Sequence, residues 1–252
     1  MFIDSHAHIE WESYEKDFDA VLQRAQENKV EAILNIGTTL EHNAASIALA
    51  EKYPHIYAAV GIHPHEVEKV PDNYLDQLKT MAHNPKVKAI GEVGLDYFYK
   101  NADPELQKKR FQEQAQLAKD LGLPLSIHCR EAFQEAFEIL DRVGMTNGVF
   151  HCFTGNQNEA QEALKRGFYI SISGIITFKK ALQLQDVVRT LPLEKLLIET
   201  DCPFLAPEPY RGKRNEPAYV VHTAQKIAEL LEVSLEEVAR QTTQNTKNLF
   251  QI

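Results

Sequence analysis

The chain has 252 residues, 44% hydrophobic and 25% charged, which is ordinary for a protein that buries one large core. No apolar run approaches the roughly 20 residues of a membrane-spanning helix, and the start passes from Met1 within a few residues into Asp4, Ser5 and His6, without the zones of a secretory signal. A net charge of -9 excludes a broad nucleic-acid-coating surface and leaves phosphate to a local patch or to bound cations.

Along the chain, β-prone segments recur at residues 2–6, 32–36, 57–62, 87–91, 125–128, 148–151, 169–172 and 195–199. Stretches of helical period lie between them. Phe18, Val21, Leu22 and Ala25 form one; Leu106, Phe111, Ala115, Leu117, Ala118 and Leu121 form another, with Gly122 as a stop ahead of Pro124. Strand alternating with helix implies a parallel sheet with crossover helices. Eight such units over this length predict an α/β protein closed as a TIM-like (β/α)₈ barrel, although a doubly wound open sheet would give a similar local pattern. The segment 202–217, with Pro203, Pro207, Pro209 and Pro217, reads as a long loop on the active face. Ser234-Leu-Glu-Glu237 reads as a reciprocal capping box opening an extra C-terminal helix that runs to about Asn248. With no linker or charge block to divide it, the chain is expected to be a single domain. The three cysteines, Cys129, Cys152 and Cys202, carry no CxxC spacing and read as packing residues with free thiols, in keeping with a cytoplasmic protein.

The residues that carry chemistry stand at strand ends. His6 and His8 form a His-x-His pair whose imidazoles point the same way by strand alternation, so one metal ion can take both; hydrogen-bonded strand histidines are the plain alternative. Glu92, His128, His151 and Asp201 close or follow the fourth, fifth, sixth and eighth strands. In a barrel these ends converge on the C-terminal face, where barrel active sites lie. Imidazole and carboxylate donors without thiolates suit an open, catalytic site. These ligand candidates exceed the three protein ligands of a usual catalytic zinc site and are about what two divalent ions (Mg, Mn or Zn) need, with Glu92 as a bridge. Paired metals generate a hydroxide near neutral pH and stabilise charge on attacked and leaving oxygens, which fits phosphoester hydrolysis.

Read as an ordered set, Asp4-Ser-His-Ala-His8, Gly61-Ile-His-Pro-His65, Gly91-Glu-Val-Gly-Leu-Asp96, His128-Cys-Arg130, His151-Cys-Phe-Thr-Gly155 and Glu199-Thr-Asp-Cys-Pro203 resemble the TatD family of metal-dependent deoxyribonucleases, within the amidohydrolase-like barrel superfamily. The likeness spans essentially the whole chain. It implies a TIM-like barrel, divalent-metal dependence and cleavage of DNA, often single-stranded from the 3′ end. On matching positions it implies His6, His8, Glu92 and Asp201 at one metal and Glu92, His128 and His151 at the other.

Around these, His63 and His65 are candidates for contacting a substrate phosphate or stabilising the leaving group, with loop hydrogen bonding as the alternative. Arg130 lies on the His128 side of its strand, where its fork suits a phosphate; a salt bridge to Glu199 is the alternative. Arg211 opens the basic run Arg211-Gly-Lys-Arg214, placed to guide a strand backbone or simply to be solvated. Tyr97, Phe98 and Tyr99 either stack on an unpaired base or cover the barrel rim. The expected enzyme is a hydrolase of DNA phosphodiesters in which Asp201 orients or deprotonates the water and His63 or Arg130 steadies the phosphate. Single-stranded DNA is the expected partner, with no membrane, no obligate protein partner, and a monomer or small homo-oligomer. The rivals are a hydrolase of a small amide, lactone or phosphoester, and a non-catalytic binding barrel.

Overall fold

In the computed structural model, which describes residues 1–252, each of the predicted β-prone segments is a strand. They are β1 (Phe2–Ala7), β2 (Val30–Ile36), β3 (Ile56–Val60), β4 (Val87–Asp96), β5 (Leu125–Arg130), β6 (Gly148–Phe150), β7 (Tyr169–Ile172) and β8 (Leu196–Ile198). They form one sheet in sequential order, every neighbouring pair parallel. The ring is drawn together just beyond β8. Asp201 N–H donates to His6 C=O at 2.9 Å, and His8 N–H donates to Cys202 C=O at 2.8 Å. The closing contact thus holds residue 201 beside the His-x-His pair, and the barrel reading prevails over the open sheet.

Each strand is followed by a helix: α1 (Phe18–Glu27), α2 (Leu40–Lys52), α3 (Tyr74–Ala82), α4 (Pro104–Leu121), α5 (Phe133–Val143), α6 (Gln157–Lys165), α7 (Leu182–Val188) and α8 (Val220–Leu231). The expected extra helix, α9 (Leu235–Phe250), packs back on β1 and β8. Because helices cover the outside and side chains fill the inside, barrel strands are buried on both faces and read as near-continuous apolar runs. All of β1 and nine-tenths of β4 follow that rule in burial. Helix packing follows the sequence period. Phe133 and Phe137 of α5 sit one turn apart and lay their rings on Phe150 of β6 at centroid distances of 5.8 and 5.5 Å.

Local chemistry sets the helix ends. The Asp103 carboxylate accepts the Leu106 N–H at the start of α4, Pro104 occupies the first turn, and Gly122 ends the helix at φ +68°. At α9 only half of the expected capping box forms. Ser234 Oγ accepts the Glu237 N–H at 3.1 Å, but exposed Glu237 turns to solvent rather than back to Ser234. The full reciprocal box lies at α6, between Asn156 and Glu159. The Pro-rich segment 202–217 is a loop on the C-terminal face, and it is pinned. The Asn215 amide donates to Thr200 C=O at 2.8 Å, and Arg214 grips Asp17 through two nitrogens at 2.8 and 2.6 Å. No helix is long and apolar enough to cross a membrane.

Candidate metal centre

His6 and His8 project from the end of β1 into the barrel mouth, both buried. His8 Nδ1 lies 2.8 Å from Ile36 C=O; a carbonyl only accepts, so Nδ1 carries a proton and the neutral ring presents its Nε2 lone pair to the mouth. His6 is oriented the same way by Ser126 Oγ, 3.2 Å from its Nδ1. The two Nε2 atoms therefore face each other at 3.3 Å. Asp201 Oδ1 joins them at 3.8 Å from His6 and 3.6 Å from His8.

Glu92, on β4, sits between this group and a second one. Its Oε2 is 3.5 Å from His6 Nε2 and 3.6 Å from His8 Nε2. Its Oε1 is 2.7 Å from His151 Nε2, 2.9 Å from His128 Nδ1 and 3.4 Å from His63 Nε2. So all the predicted ligand residues meet at one place, and one carboxylate divides its oxygens between two nitrogen sets. Donor atoms from His6, His8 and Glu92 lie within 4.8 Å of one another, a spacing a divalent ion can span; those from His63, Glu92 and His128 are as close, but the His65 N–H on His63 Nδ1 leaves a proton on the His63 nitrogen that faces Glu92. Lone pairs and carboxylate oxygens packed this closely repel unless a cation stands among them. The all-nitrogen-and-oxygen donor set therefore fits divalent metal, and of catalytic rather than structural type.

The titration behaviour expresses the same demand for positive charge. Burial alone would depress His8, but the hydrogen bond to Asp201 and the charges of Glu10 and Glu92 raise it to about 9. His151 is driven well up against burial, chiefly by Glu92 and Glu199, and His128 is raised by Asp96 and Glu92. Burial pushes Glu92 and Asp201 upward, yet the surrounding imidazoles overcome it and hold both below the ordinary carboxylate range. His6 is lowered by burial and by the His151 charge. His63 falls to about 4, burial outweighing the pull of Glu92.

Two carboxylates that sequence reasoning did not assign hold this arrangement in place. Asp96 Oδ2 lies 3.0 Å from His128 Nε2 and 3.0 Å from His65 Nε2, while its Oδ1 accepts the backbone N–H groups of Phe98 and Tyr99. It fixes the His128 tautomer that turns Nδ1 toward Glu92. Glu199 Oε1 stands 3.4 Å from His151 Nδ1 and accepts the Cys152 N–H at 2.7 Å. The signal that could have found both is strand alternation: Asp96 shares a face with Glu92, and Glu199 points with Asp201.

The outer candidates divide. His63 is inside the cluster. His65 is one step out, paired with Asp96. Arg130 makes no bridge to Glu199, because Glu199 is engaged with His151 and Cys152; its guanidinium instead lies over the rings of Phe98 at 4.2 Å and Tyr99 at 4.8 Å. The basic run is split: Arg214 is committed to Asp17, and Arg211 lies over the Phe178 ring at 4.2 Å. Cys129 and Cys202 are buried and Cys152 is partly so, its Sγ 3.2 Å from Ser173 Oγ; all three are free thiols.

Residues 3–251 match the family model for TatD-related DNases. The chain belongs to the TatD family. Among its relatives, the metal-dependent hydrolase YabD of Bacillus subtilis (strain 168) is 43% identical over 254 residues, covering 100% of both chains. The 3′-5′ ssDNA/RNA exonuclease TatD of Salmonella typhimurium is 35% identical, covering 95% of each. Among solved structures, the TatD homologue YJJV of Escherichia coli K12 superimposes with a TM-score of 0.95 at 35% identity, over 100% of this chain and 98% of that one. This TatD-family protein is thus a metal-dependent hydrolase on a barrel, and its buried His/Glu clusters are where metal could bind.

Proposed function

We propose that this TatD-family hydrolase cleaves nucleic-acid phosphodiesters, removing nucleotides from the 3′ end of single-stranded DNA, at a centre of two divalent ions. The observation that carries the reading is the division of Glu92, Oε2 toward His6 and His8 and Oε1 toward His128 and His151. His6, His8, Glu92 and Asp201 would hold one ion, and Glu92, His128 and His151 the other. Bound there, the ions would supply a nucleophile from water near neutral pH and neutralise charge on the phosphate. The relative named as a 3′-5′ ssDNA/RNA exonuclease supports the substrate, and three free thiols are in keeping with a cytoplasmic setting.

The chain's own groups then have distinct tasks. Asp201, ionised at neutral pH, orients the attacking water and accepts its proton. His63 Nδ1 accepts the His65 N–H at 3.1 Å, so the neutral ring carries its proton on Nε2, which faces the cluster. That tautomer makes His63 a hydrogen-bond donor to a phosphate or leaving oxygen rather than a metal ligand.

The test is cleavage of end-labelled single-stranded DNA by metal-stripped protein after adding back Mg, Mn or Zn, with Glu92→Ala alongside. Metal-restored shortening from the 3′ end, lost by at least a hundredfold in the variant, is expected. Metal retention with no cleavage of any nucleic acid would replace this reading with hydrolysis of a small ester or amide.

A further inference from the structure

The large apolar side chains left exposed are Met1, Phe98, Tyr99, Leu182 and Phe204. Of these, Phe98, Tyr99 and Phe204 stand in the loops that follow β4 and β8, on the face that carries the metal centre. Two aromatic groups result, each joined to a different half of the cluster. On one side Phe98 and Tyr99 are 49% and 52% exposed, and the Arg130 guanidinium rests on both rings. Tyr99 contacts His65 at a centroid distance of 5.6 Å, and the backbone of both residues is fastened to Asp96, the partner of His128. On the other side Phe204, 44% exposed, meets the Trp11 indole edge-on at 5.1 Å. Both of those rings also lie against His8, at 6.4 and 6.0 Å.

Resting on the nuclease reading above, we propose that these groups are two base-stacking subsites flanking the reacting phosphate: Phe98, Tyr99 and Arg130 for one unpaired base, Trp11 and Phe204 for another. Every nucleobase has a π face, so such platforms accept any sequence, and they require bases freed from a duplex. They would supply binding that a protein of net charge -9 does not obtain from long-range attraction to phosphate. The partner class is therefore single-stranded nucleic acid.

The experiment compares wild type, Phe204→Ala and a Phe98→Ala/Tyr99→Ala double variant on a single-stranded oligonucleotide and on its counterpart with abasic sites at the 3′ terminal positions, with metal content checked for each. Wild type should prefer the intact strand, and each variant should lose about 5- to 100-fold in kcat/KM on it, mainly through KM, with Phe204→Tyr restoring the loss. Trp11 is the only tryptophan. Its fluorescence in metal-stripped wild type should therefore be quenched by the intact oligonucleotide and not by the abasic one. Wild-type cleavage without discrimination against abasic strands, or variants as efficient as wild type on the intact strand, would overturn the stacking subsites and leave the nuclease reading standing. Wild type inactive on all nucleic acid would overturn both.

Discussion

His8 shows how much of this centre is decided one side chain at a time. Its Nδ1 is committed to a backbone carbonyl, so the other nitrogen has no choice of direction, and the carboxylates around it call for a positive charge. In the metal-free fold that charge is a proton. Because the folded value, about 9, lies above the 6.5 of the unfolded chain, the proton on His8 contributes stability in full below about pH 6.5, and that contribution is lost as pH rises through 9. His128 and His151 act in the same sense, while His6 and His63, both lowered, affect stability only below about pH 6.5, where they lower it. Glu92 and Asp201, held below their ordinary values, add stability that disappears only on acidification below about pH 4. Metal-stripped protein should therefore show a steeper fall in Tm between about pH 6.5 and 9 than metal-loaded protein, in which the ion replaces the proton; buried Asp4, raised to about 8, adds a fall common to both forms. Parallel Tm-versus-pH curves for the two forms would remove metal from this cluster. Residue identity and strand alternation were enough to bring out the ligand candidates. They could not foretell that Arg130 lies on two aromatic rings instead of reaching Glu199, because that depends on the path of the loop after β4.

The β4 strand shows what an element adds. The sequence suggests a strand ending at Gly91; the observed strand continues through Glu92 to Asp96, since its ladder to β5 resumes after an irregularity and runs as far as Arg130. Gly94 makes this possible. It sits at φ +143°, and a Cβ there would collide with the backbone carbonyl of His128. A glycine between two carboxylates looks like a strand terminator in sequence, yet here it allows close approach of two strands that each bring a candidate ligand. Gly94→Ala should lower Tm by about 5–10 °C, from roughly 2–3 kcal/mol of backbone strain and displacement, and should also reduce metal retention sharply by moving His128. Gly122→Ala is the control. It also has a positive φ, but at +68° in the left-handed helical region and with open space around it, so it should show a smaller Tm change and normal metal content in the same calorimetric and metal-analysis measurements. Closure of the barrel was less legible, because β8 meets β1 through a bridge and two flanking hydrogen bonds beyond the strand itself, where no apolar pattern marks the pairing.

For the whole molecule, the net charge of -9 and the polyanionic substrate proposed above are reconciled by where positive charge is available. The arginines near the mouth are engaged: Arg130 with Phe98 and Tyr99, Arg211 with Phe178, Arg214 with Asp17. Exposed Lys100, Lys179, Lys180 and Lys213 stand on loops of the same face, but the net negative charge of the whole opposes long-range attraction, so affinity should come chiefly from bound metal at one phosphate and from apolar contact with bases. For single strands the logarithm of the binding constant falls with the logarithm of salt at about 0.7 per phosphate neutralised. With about two phosphates neutralised, KM for a short single-stranded oligonucleotide should rise less than about tenfold between 50 and 200 mM salt at saturating metal, where 6–10 phosphate contacts would give about 300-fold or more. Initial-rate measurements over that range decide between the two. A steep salt slope would mean that a basic path for the strand exists and that the acidic surface is being overcome by side chains; a shallow one would leave the metal centre and the bases to account for recognition.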